Sequence, residues 1–327
     1  MSDVIAQIRK NRFVVVGRVG MDLFPDVGVA VEDAAQFTAD MGGSSANIAA
    51  GLVKLGAQAS LVTRVSDDAV GRFCRNKLAH YGVDATYVRD EGGEARNSLA
   101  LYESRIKGHQ SVIYRNRAAD FEMTMEDVQA VDYERFGALI AAGTVFAAEP
   151  SRAASFESFR LARAAGLPVI FDVDYRPYSW PSAQVAEEVL SKAAAMSDVI
   201  IGNDEEFGFM AGGIEHGLQK ARDLAASSAA IVVYKMGEAG AITITPNGET
   251  RTGIYRVDAL KPTGAGDSFM AGMLSSLASG HDLKSAVLRG SACAAIVVAK
   301  PGCAPAMPYP ADLDNFLATH AGPTEVS

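Results

Sequence analysis

Cysteine and histidine are scarce in this chain. Its 327 residues include three cysteines, Cys74, Cys293 and Cys303, and none of them forms a Cys-x-x-Cys pair. The five histidines are scattered, without the His-x-His or His-Glu-x-x-His spacing of zinc sites. We therefore expect neither a disulfide framework nor a zinc centre, and we interpret the cysteines as free thiols in a reducing compartment.

Long apolar runs and an excess of basic charge are missing too. The first residues, MSDVIAQIRKNRF, lack the apolar core of a signal peptide, and later runs such as ALIAAGTVFAA are too short to cross a bilayer. The net charge is −9, whereas a surface that binds nucleic acid or membrane carries basic patches. We expect a cytoplasmic protein without nucleic-acid or membrane partners. Small anionic substrates stay allowed, because a few local cations suffice to hold them.

Apolar runs of strand length alternate with stretches of helical periodicity. FVVVG (13–17) and ASLVTRV (59–65) predict strands, and residues 44–56 and 67–82 predict helices. Four later runs are each interpreted as a strand before a helix, namely LIAAGTVF, LPVIFDVD, SDVIIGN and AAIVVYKMG. This order predicts an α/β fold with a mostly parallel sheet flanked by helices, which binds ligands at the carboxyl ends of its strands.

Two segments interrupt the alternation. Residues 20–40 are polar and contain proline, and residues 96–116 resemble two strands joined by a turn at Lys107-Gly108. Together they predict a small projecting β-sheet that serves as a lid over a substrate. We find no repeat and no linker, so residues 1–327 are expected to form a single domain.

The stretch KPTGAGDSFMAG (261–272) carries the clearest chemical signal. Gly264, Ala265 and Gly266 allow close approach of the backbone to a ligand, and a helix that begins here directs unpaired N–H groups at an anion. Asp267 would lie in the first helical turn, where it can accept a proton from a hydroxyl. Phosphoryl transfer to a sugar needs these two parts together. A structural glycine turn capped by aspartate is the alternative.

A second glycine-rich stretch, MGGSSANIAAGLVKLG (41–56), precedes a predicted helix. Gly42 and Gly43 indicate a hinge or close backbone approach, and Asn47 lies inside the helix. A loop with a polar first helical turn is the alternative reading.

The two stretches, in this order, resemble the two signatures of the PfkB, or ribokinase-like, family of carbohydrate kinases. One signature glycine is replaced by Ser66 and Lys261 stands where many relatives have an aspartate, whereas Gly42, Gly43, Asn47 and the second stretch through to Gly272 fit. The resemblance implies a ribokinase-like three-layer fold that uses ATP and Mg²⁺ to phosphorylate a sugar hydroxyl. It covers nearly the whole chain.

The resemblance also implies a role for each matching residue. Asp267 is the expected general base, with an anion hole at Gly264, Ala265 and Gly266. Asp22, Gly42, Gly43 and Asn47 are expected to bind the sugar. The nucleotide is expected at Asn203, Lys235, Gly237, Gly240, Gly264 and Gly266, and Mg²⁺ at Asn203 and Glu206 through water. Taken singly, Asp22 could be a turn residue, Glu206 a solvated helix charge and Lys235 a surface lysine.

Four further segments resemble a narrower group of the family, the 5-dehydro-2-deoxygluconokinases of myo-inositol breakdown. They are YRNRAADF (114–121), AEPSR (148–152), FDVDYRPYSW (171–180) and RGSACAAIVVAKPGCAPAMP (289–308). The implied substrate is a keto acid phosphorylated on its terminal hydroxyl, whose carboxylate needs a cation. The candidates for binding this substrate are Glu149, Asp174, Arg115, Arg117 and Arg176, although some of these arginines could form structural ion pairs instead.

Other functions stay open at this point. Within the family, 2-dehydro-3-deoxygluconokinase and fructokinase are alternatives, and a catalytically silent sugar- or nucleotide-binding regulator is an alternative of another class. A homodimer formed through the lid is a further expectation. Many relatives have an aspartate that helps bind a monovalent cation where this chain has Lys261, which puts that cation in doubt. Lys261 would either take the place of the cation or turn into solvent.

Overall fold

The structure, a computed structural model, describes residues 1–105 and 108–324. Its strands are β1 Arg12–Val16, β2 Gly20–Phe24, β3 Thr38–Gly42, β4 Gln58–Ser66, β5 Val88–Glu91, β6 Leu99–Tyr102, β7 Ser111–Tyr114, β8 Ala138–Ala142, β9 Val169–Asp172, β10 Val199–Asn203, β11 Ile231–Lys235, β12 Ala241–Thr245 and β13 Gly248–Thr252. Its α-helices are α1 Ser2–Ile8, α2 Ser44–Lys54, α3 Ala69–His80, α4 Met125–Gln129, α5 Ser151–Ala164, α6 Ala183–Ala195, α7 Asp204–Met210, α8 Gly217–Ser227, α9 Ala265–Ala278, α10 Leu283–Val298 and α11 Pro310–Thr319.

The main sheet has the strand order β13-β12-β11-β10-β9-β8-β1-β4-β5. Every neighbouring pair from β11 to β5 is parallel, and β12 and β13 are antiparallel additions at one edge. The predicted mostly parallel sheet is therefore confirmed. The prediction that AAIVVYKMG precedes a helix is wrong, because a single 3₁₀ turn and the β12–β13 hairpin follow β11. Gly240, with φ of 84°, makes the reversal that allows β12 to pair back on β11.

Alternate residues of the central strands enter two hydrophobic cores on opposite faces of the main sheet. In β1, Phe13 and Val15 pack into the core that contains residues of α2, α9 and α10, whereas Val14 and Val16 pack into the core that contains residues of α5, α6 and α8. Burial on both faces explains why these strands read as continuous apolar runs. The result is the predicted three-layer α/β arrangement.

The ends of two helices near the site follow local chemistry. The helix predicted over 67–82 begins at Ala69, because the carboxylate of Asp68 caps it by accepting the N–H groups of Val70 (2.8 Å) and Gly71 (3.0 Å). The helix predicted over 44–56 is α2, and Gly43 before it has φ of 97°. Both helices exist where the periodicity predicts them and are shorter by two or more residues.

A separate four-stranded sheet has the order β3-β2-β6-β7. Its strands come from the two segments that interrupt the alternation, so the predicted small sheet is present. Lys107 of the predicted turn lies outside the described residues. Along β7 the side chains alternate: Val112 and Tyr114 are exposed, whereas Ser111 and Ile113 face the cavity. Among the described residues, no helix is long and apolar enough to span a membrane.

Candidate active site

A cavity of about 680 Å³ opens at the carboxyl ends of the parallel strands and is bounded on the other side by the small sheet. The last residues of three neighbouring strands line it, namely Asp172 of β9, Asn203 of β10 and Lys235 of β11. Ala100 and Tyr102 of β6 face it from the small sheet. The cavity thus lies where a parallel α/β sheet is expected to bind its ligand.

Most of the residues predicted from the sequence meet in this cavity. Its walls include Asp22, Gly43, Asn47, Asp174, Arg176, Asn203, Glu206, Lys235, Gly237, Gly240, Gly264, Ala265, Gly266 and Asp267. Gly42, Arg115, Arg117 and Glu149 are not part of its lining.

Asp267 lies in the first turn of α9, which begins after Gly264 in a left-handed conformation with φ of 84°. The first N–H groups of a helix have no intrahelical partner, so those of α9 are presented to the cavity beside this carboxylate. Asn47 Nδ2 donates a 2.9 Å hydrogen bond to Asp267 Oδ2. Burial and the nearby charge of Asp174 raise the pKa of Asp267 to about 6, against the opposing effects of Asn47 and Arg176. The carboxylate is thus ionised at neutral pH and more basic than an exposed aspartate.

Lys235 extends from the end of β11 to the start of α9. A Cβ atom on Gly266 would lie 3.4 Å from Lys235 Nζ, so the ammonium group is adjacent to the first turn of the helix. A cation and a helix N-terminus side by side form a site for a phosphate group. Lys235 thus lines the cavity and is partly buried, and its role in binding phosphate stays a prediction.

Asn203 and Glu206 bind each other's backbone at the start of α7. Asn203 Oδ1 accepts the N–H of Glu206, and Glu206 Oε2 accepts the N–H of Asn203, both at 2.8 Å. Asn203 is the extended N-cap of α7, so the two residues form a capping box. Burial raises the pKa of Glu206, opposed mainly by Lys235. The capping box directs both side chains to the cavity wall.

Asp22 lies in β2 on the cavity side of the small sheet and is almost fully buried. Tyr102 donates a hydrogen bond to its carboxylate, and Gly42 leaves the room it needs, because a Cβ there would lie 1.8 Å from Asp22 Oδ1. Burial raises the pKa of Asp22 to about 7, although the bond from Tyr102 and the charge of Arg18 oppose the rise. Gly42 therefore acts on the cavity through Asp22 rather than by lining it.

The segment after β9 carries two buried carboxylates. Burial raises the pKa of Asp172 well above its usual range, with Lys235 opposing. Asp174 has the opposite shift: burial works to raise its pKa, but the charge of Arg176, whose Nη2 is 2.8 Å from Asp174 Oδ1, contributes to a net lowering. Asp174 also has φ of 35°, which is a strained conformation for a residue with a side chain.

The other residues predicted to bind an acidic substrate point elsewhere. Arg115 is buried in an ion pair with Asp120 and donates to the carbonyl of Thr144 at 3.0 Å. The side chain of Arg117 is 86% exposed. Glu149 is exposed outside the cavity and accepts the N–H of Ala153 at the start of α5 (3.1 Å). Of the three candidate arginines, only Arg176 reaches the cavity.

The cavity residues missed by the sequence reasoning include four with long polar or charged side chains or with a buried carboxyl group, namely Arg18, Tyr102, Asp172 and Tyr178. Asp172 ends a predicted strand and Arg18 follows one closely, which is the position of ligand-binding residues in such sheets. That positional signal was available for these two. Nothing in the local pattern distinguished Tyr102 or Tyr178 from other aromatic residues.

Lys261 is fully buried just before the turn that precedes α9. Its ammonium group donates to the carbonyl of Thr263 at 2.6 Å and to that of Val297 at 3.3 Å. Burial lowers its pKa, and the electrostatic effects of Cys303 and Asp267 oppose this change. The alternative in which Lys261 turns into solvent is therefore wrong.

Comparison with known proteins identifies the family. The family description "pfkB family carbohydrate kinase" matches residues 10–310. The chain belongs to the pfkB family of carbohydrate kinases. It is similar to the 5-dehydro-2-deoxygluconokinase of Geobacillus kaustophilus, at 36% identity over 94% of each chain, and to that of Photobacterium profundum, at 34% identity over 96% of this chain and 97% of the relative.

Solved structures of the same family share the fold. A double mutant of the fructokinase from Vibrio cholerae, with bound fructose, ADP and potassium ion, superposes with a TM-score of 0.82 at 26% identity, covering 94% of this chain and 98% of the other. The aminoimidazole riboside kinase of Salmonella enterica, with its riboside and an ATP analogue, gives a TM-score of 0.80 at 25% identity, with 94% and 100% covered. The ribokinase-like fold inferred from the resemblance is confirmed, and this pfkB kinase has the architecture of enzymes that hold a sugar and a nucleotide together.

Proposed function

We propose that this pfkB kinase transfers the γ-phosphoryl group of ATP to the terminal hydroxyl of a keto-deoxy sugar acid, 5-dehydro-2-deoxy-D-gluconate. One observation carries the chemistry: the Asp267 carboxylate and the N-terminal amides of α9 border the same cavity. The near full-length relatives named 5-dehydro-2-deoxygluconokinase support the choice of substrate.

Asp267 takes the proton of the attacking hydroxyl. Asn47, bonded to Asp267 Oδ2, holds the carboxylate in one orientation. The amides at Gly264, Ala265 and Gly266 receive the negative charge of the moving phosphoryl group. Because these donors are part of the folded backbone, they need no reorganisation as the reaction proceeds.

The nucleotide phosphates are held on the main-sheet side. Lys235, next to Gly266, contributes a positive charge, and Gly237 and Gly240 allow the nucleotide to approach the backbone. Buried carboxyl groups at the cavity wall suit a hard cation such as Mg²⁺. Asn203 and Glu206 would hold the ion through water, and when bound it neutralises phosphate charge.

The sugar is held on the side of the small sheet. Asp22, oriented by Tyr102, accepts hydrogen bonds from sugar hydroxyls, and the backbone at Gly42 and Gly43 lies beside it. The segments 20–40 and 96–116 act as a lid of the single kinase domain and exclude water during transfer. The exposed Val112 and Tyr114 support the further prediction that two lids pair in a homodimer.

A coupled assay of ADP release across keto-deoxy acids, ketoses, pentoses and nucleosides tests the substrate. We expect the highest kcat/KM with 5-dehydro-2-deoxy-D-gluconate. A preference for 2-dehydro-3-deoxygluconate or for fructose would replace the proposal with one of those kinase activities. Binding of sugar or nucleotide without phosphorylation of any acceptor would favour the silent regulator.

A further inference from the structure

The cavity holds three long cationic side chains among its described residues, Arg18, Arg176 and Lys235. Arg176 is paired with Asp174 at 2.8 Å, and Lys235 lies at the helix N-terminus that receives phosphate. Arg176 therefore has an anionic partner within the protein, and Lys235 has one assigned to it in the proposed function. Arg18 differs from both.

Arg18 is buried at the cavity wall, in the connection between β1 and β2, and is only 9% exposed. Its Nη1 donates to Ser98 Oγ at 3.1 Å, whereas its Nε is buried without a hydrogen-bond partner. Within residues 1–105 and 108–324, no carboxylate lies within 4.0 Å of its guanidinium group. A buried guanidinium without an anion is costly, and a bound anion in the adjoining cavity would supply the missing partner.

The position of Arg18 selects the kind of ligand. Its carbonyl accepts the N–H of Ala46 at the start of α2 (3.2 Å), and its guanidinium group contacts Ser98, the residue directly before β6 of the small sheet. Arg18 therefore lies among the sugar-side groups rather than with the phosphate-side Lys235. An anionic group on the sugar itself, and not the nucleotide, fits this place.

We propose that Arg18 binds the carboxylate of the sugar acid and sets the preference of the enzyme for acidic over neutral sugars. The unpaired Nε and its neighbouring nitrogen form a fork whose geometry matches two carboxylate oxygens. The contact to Ser98 holds the guanidinium in place, so little side-chain entropy is lost on binding. This inference rests on the proposed function and replaces the arginines expected from the sequence with one that the sequence did not single out.

The test compares Arg18→Gln and Arg18→Lys with the unmodified enzyme. Two probes are used, namely 5-dehydro-2-deoxy-D-gluconate and its analogue with the carboxylate reduced to a primary alcohol. Arg18→Gln should raise KM and Kd for the acid roughly 10- to 100-fold, the range for a hydrogen bond between charged groups, and change Kd for the alcohol little. Arg18→Lys keeps the charge but loses the fork, so its Kd for the acid should be intermediate.

Control variants distinguish the loss of the contact between Arg18 and the carboxylate from a general loss of substrate binding. Arg160→Gln on α5, whose exposed guanidinium pairs with Glu157, should leave both Kd values unchanged. Thermal unfolding of every variant shows whether it is folded. If Arg18→Gln does not fold, the comparison of the acid with the alcohol is made with Arg18→Lys. Arg117→Gln and Arg176→Gln are competing arms: selective loss of the acid in either, with normal Arg18 variants, would overturn the proposal. A rise in KM for ATP alone would overturn it too.

The outcome is separable from that of the proposed function. If the unmodified enzyme prefers another sugar acid and Arg18→Gln loses that acid selectively, the substrate assignment fails and the role of Arg18 stands. If the keto-deoxy acid is the preferred substrate and Arg18→Gln binds it normally, the role of Arg18 fails and the function stands. Equal affinity of the unmodified enzyme for the acid and the alcohol would overturn the role of Arg18.

Discussion

Replacing Asp267 by asparagine tests its role as the general base, because asparagine keeps the shape of the side chain and cannot take up a proton. Loss of a general base lowers kcat by about 10²- to 10⁴-fold. The contact from Asn47 Nδ2 can persist, since the amide oxygen of asparagine also accepts a hydrogen bond. We therefore expect a large fall in kcat with small changes in KM for ATP.

The same substitution should stabilise the folded protein above pH 6. The pKa of Asp267 is raised from 3.8 to about 6, so between these values the folded state binds a proton that the unfolded chain has lost. Stability then falls as pH rises from about 4 to 6. At 1.36 kcal/mol per pKa unit, the ionised Asp267 lowers the free energy of unfolding by about 3 kcal/mol at most. The actual loss is smaller, because the side chain is only partly buried. Asp267→Asn removes this cost.

Two assays check this reasoning. Urea unfolding at pH 4 and pH 8 should show the variant gaining stability over the unmodified enzyme mainly at pH 8. For the unmodified enzyme, kcat should fall as pH drops through about 6, since the base must be ionised, and the residual activity of the variant should lack this fall. Near-normal kcat would refute the base assignment. An equal gain at both pH values would refute the electrostatic argument.

Two further predictions concern the surroundings of the site. If the buried ammonium group of Lys261 takes the place of a monovalent cation, the activity of the unmodified enzyme will not depend on potassium. The Lys261→Asp variant will then gain both activity and thermal stability when potassium is added. Strong potassium activation of the unmodified enzyme would contradict this. If the small sheet closes as a lid, hydrogen exchange in segments 20–40 and 96–116 will slow when sugar acid and a non-hydrolysable ATP analogue are bound. Unchanged exchange in both segments would argue against closure.

Local patterns in the sequence predict much of the fold because they reflect local physics. Strands buried on both faces have to be continuously apolar, as in VVV at 14–16, and the left-handed conformation before α9 favours a glycine, as at Gly264. The misses are of a different kind. Whether β11 is followed by a helix or by β12 depends on pairing at the sheet edge, which the run AAIVVYKMG does not encode by itself.

The sequence by itself determined the apolar strands and their alternation with helices, the glycine turn and Asp267 behind it, since each depends on neighbours within a few positions. Only the tertiary structure decided the partners of the charged groups. It brings Asn47 to Asp267 across 220 positions of the chain, pairs Arg115 with Asp120 away from the cavity, and leaves Arg18 buried at the wall without an anion. The physical reason is that the pKa and the partners of a charged group depend on its burial and on the groups that face it. Both arise only when distant segments pack together.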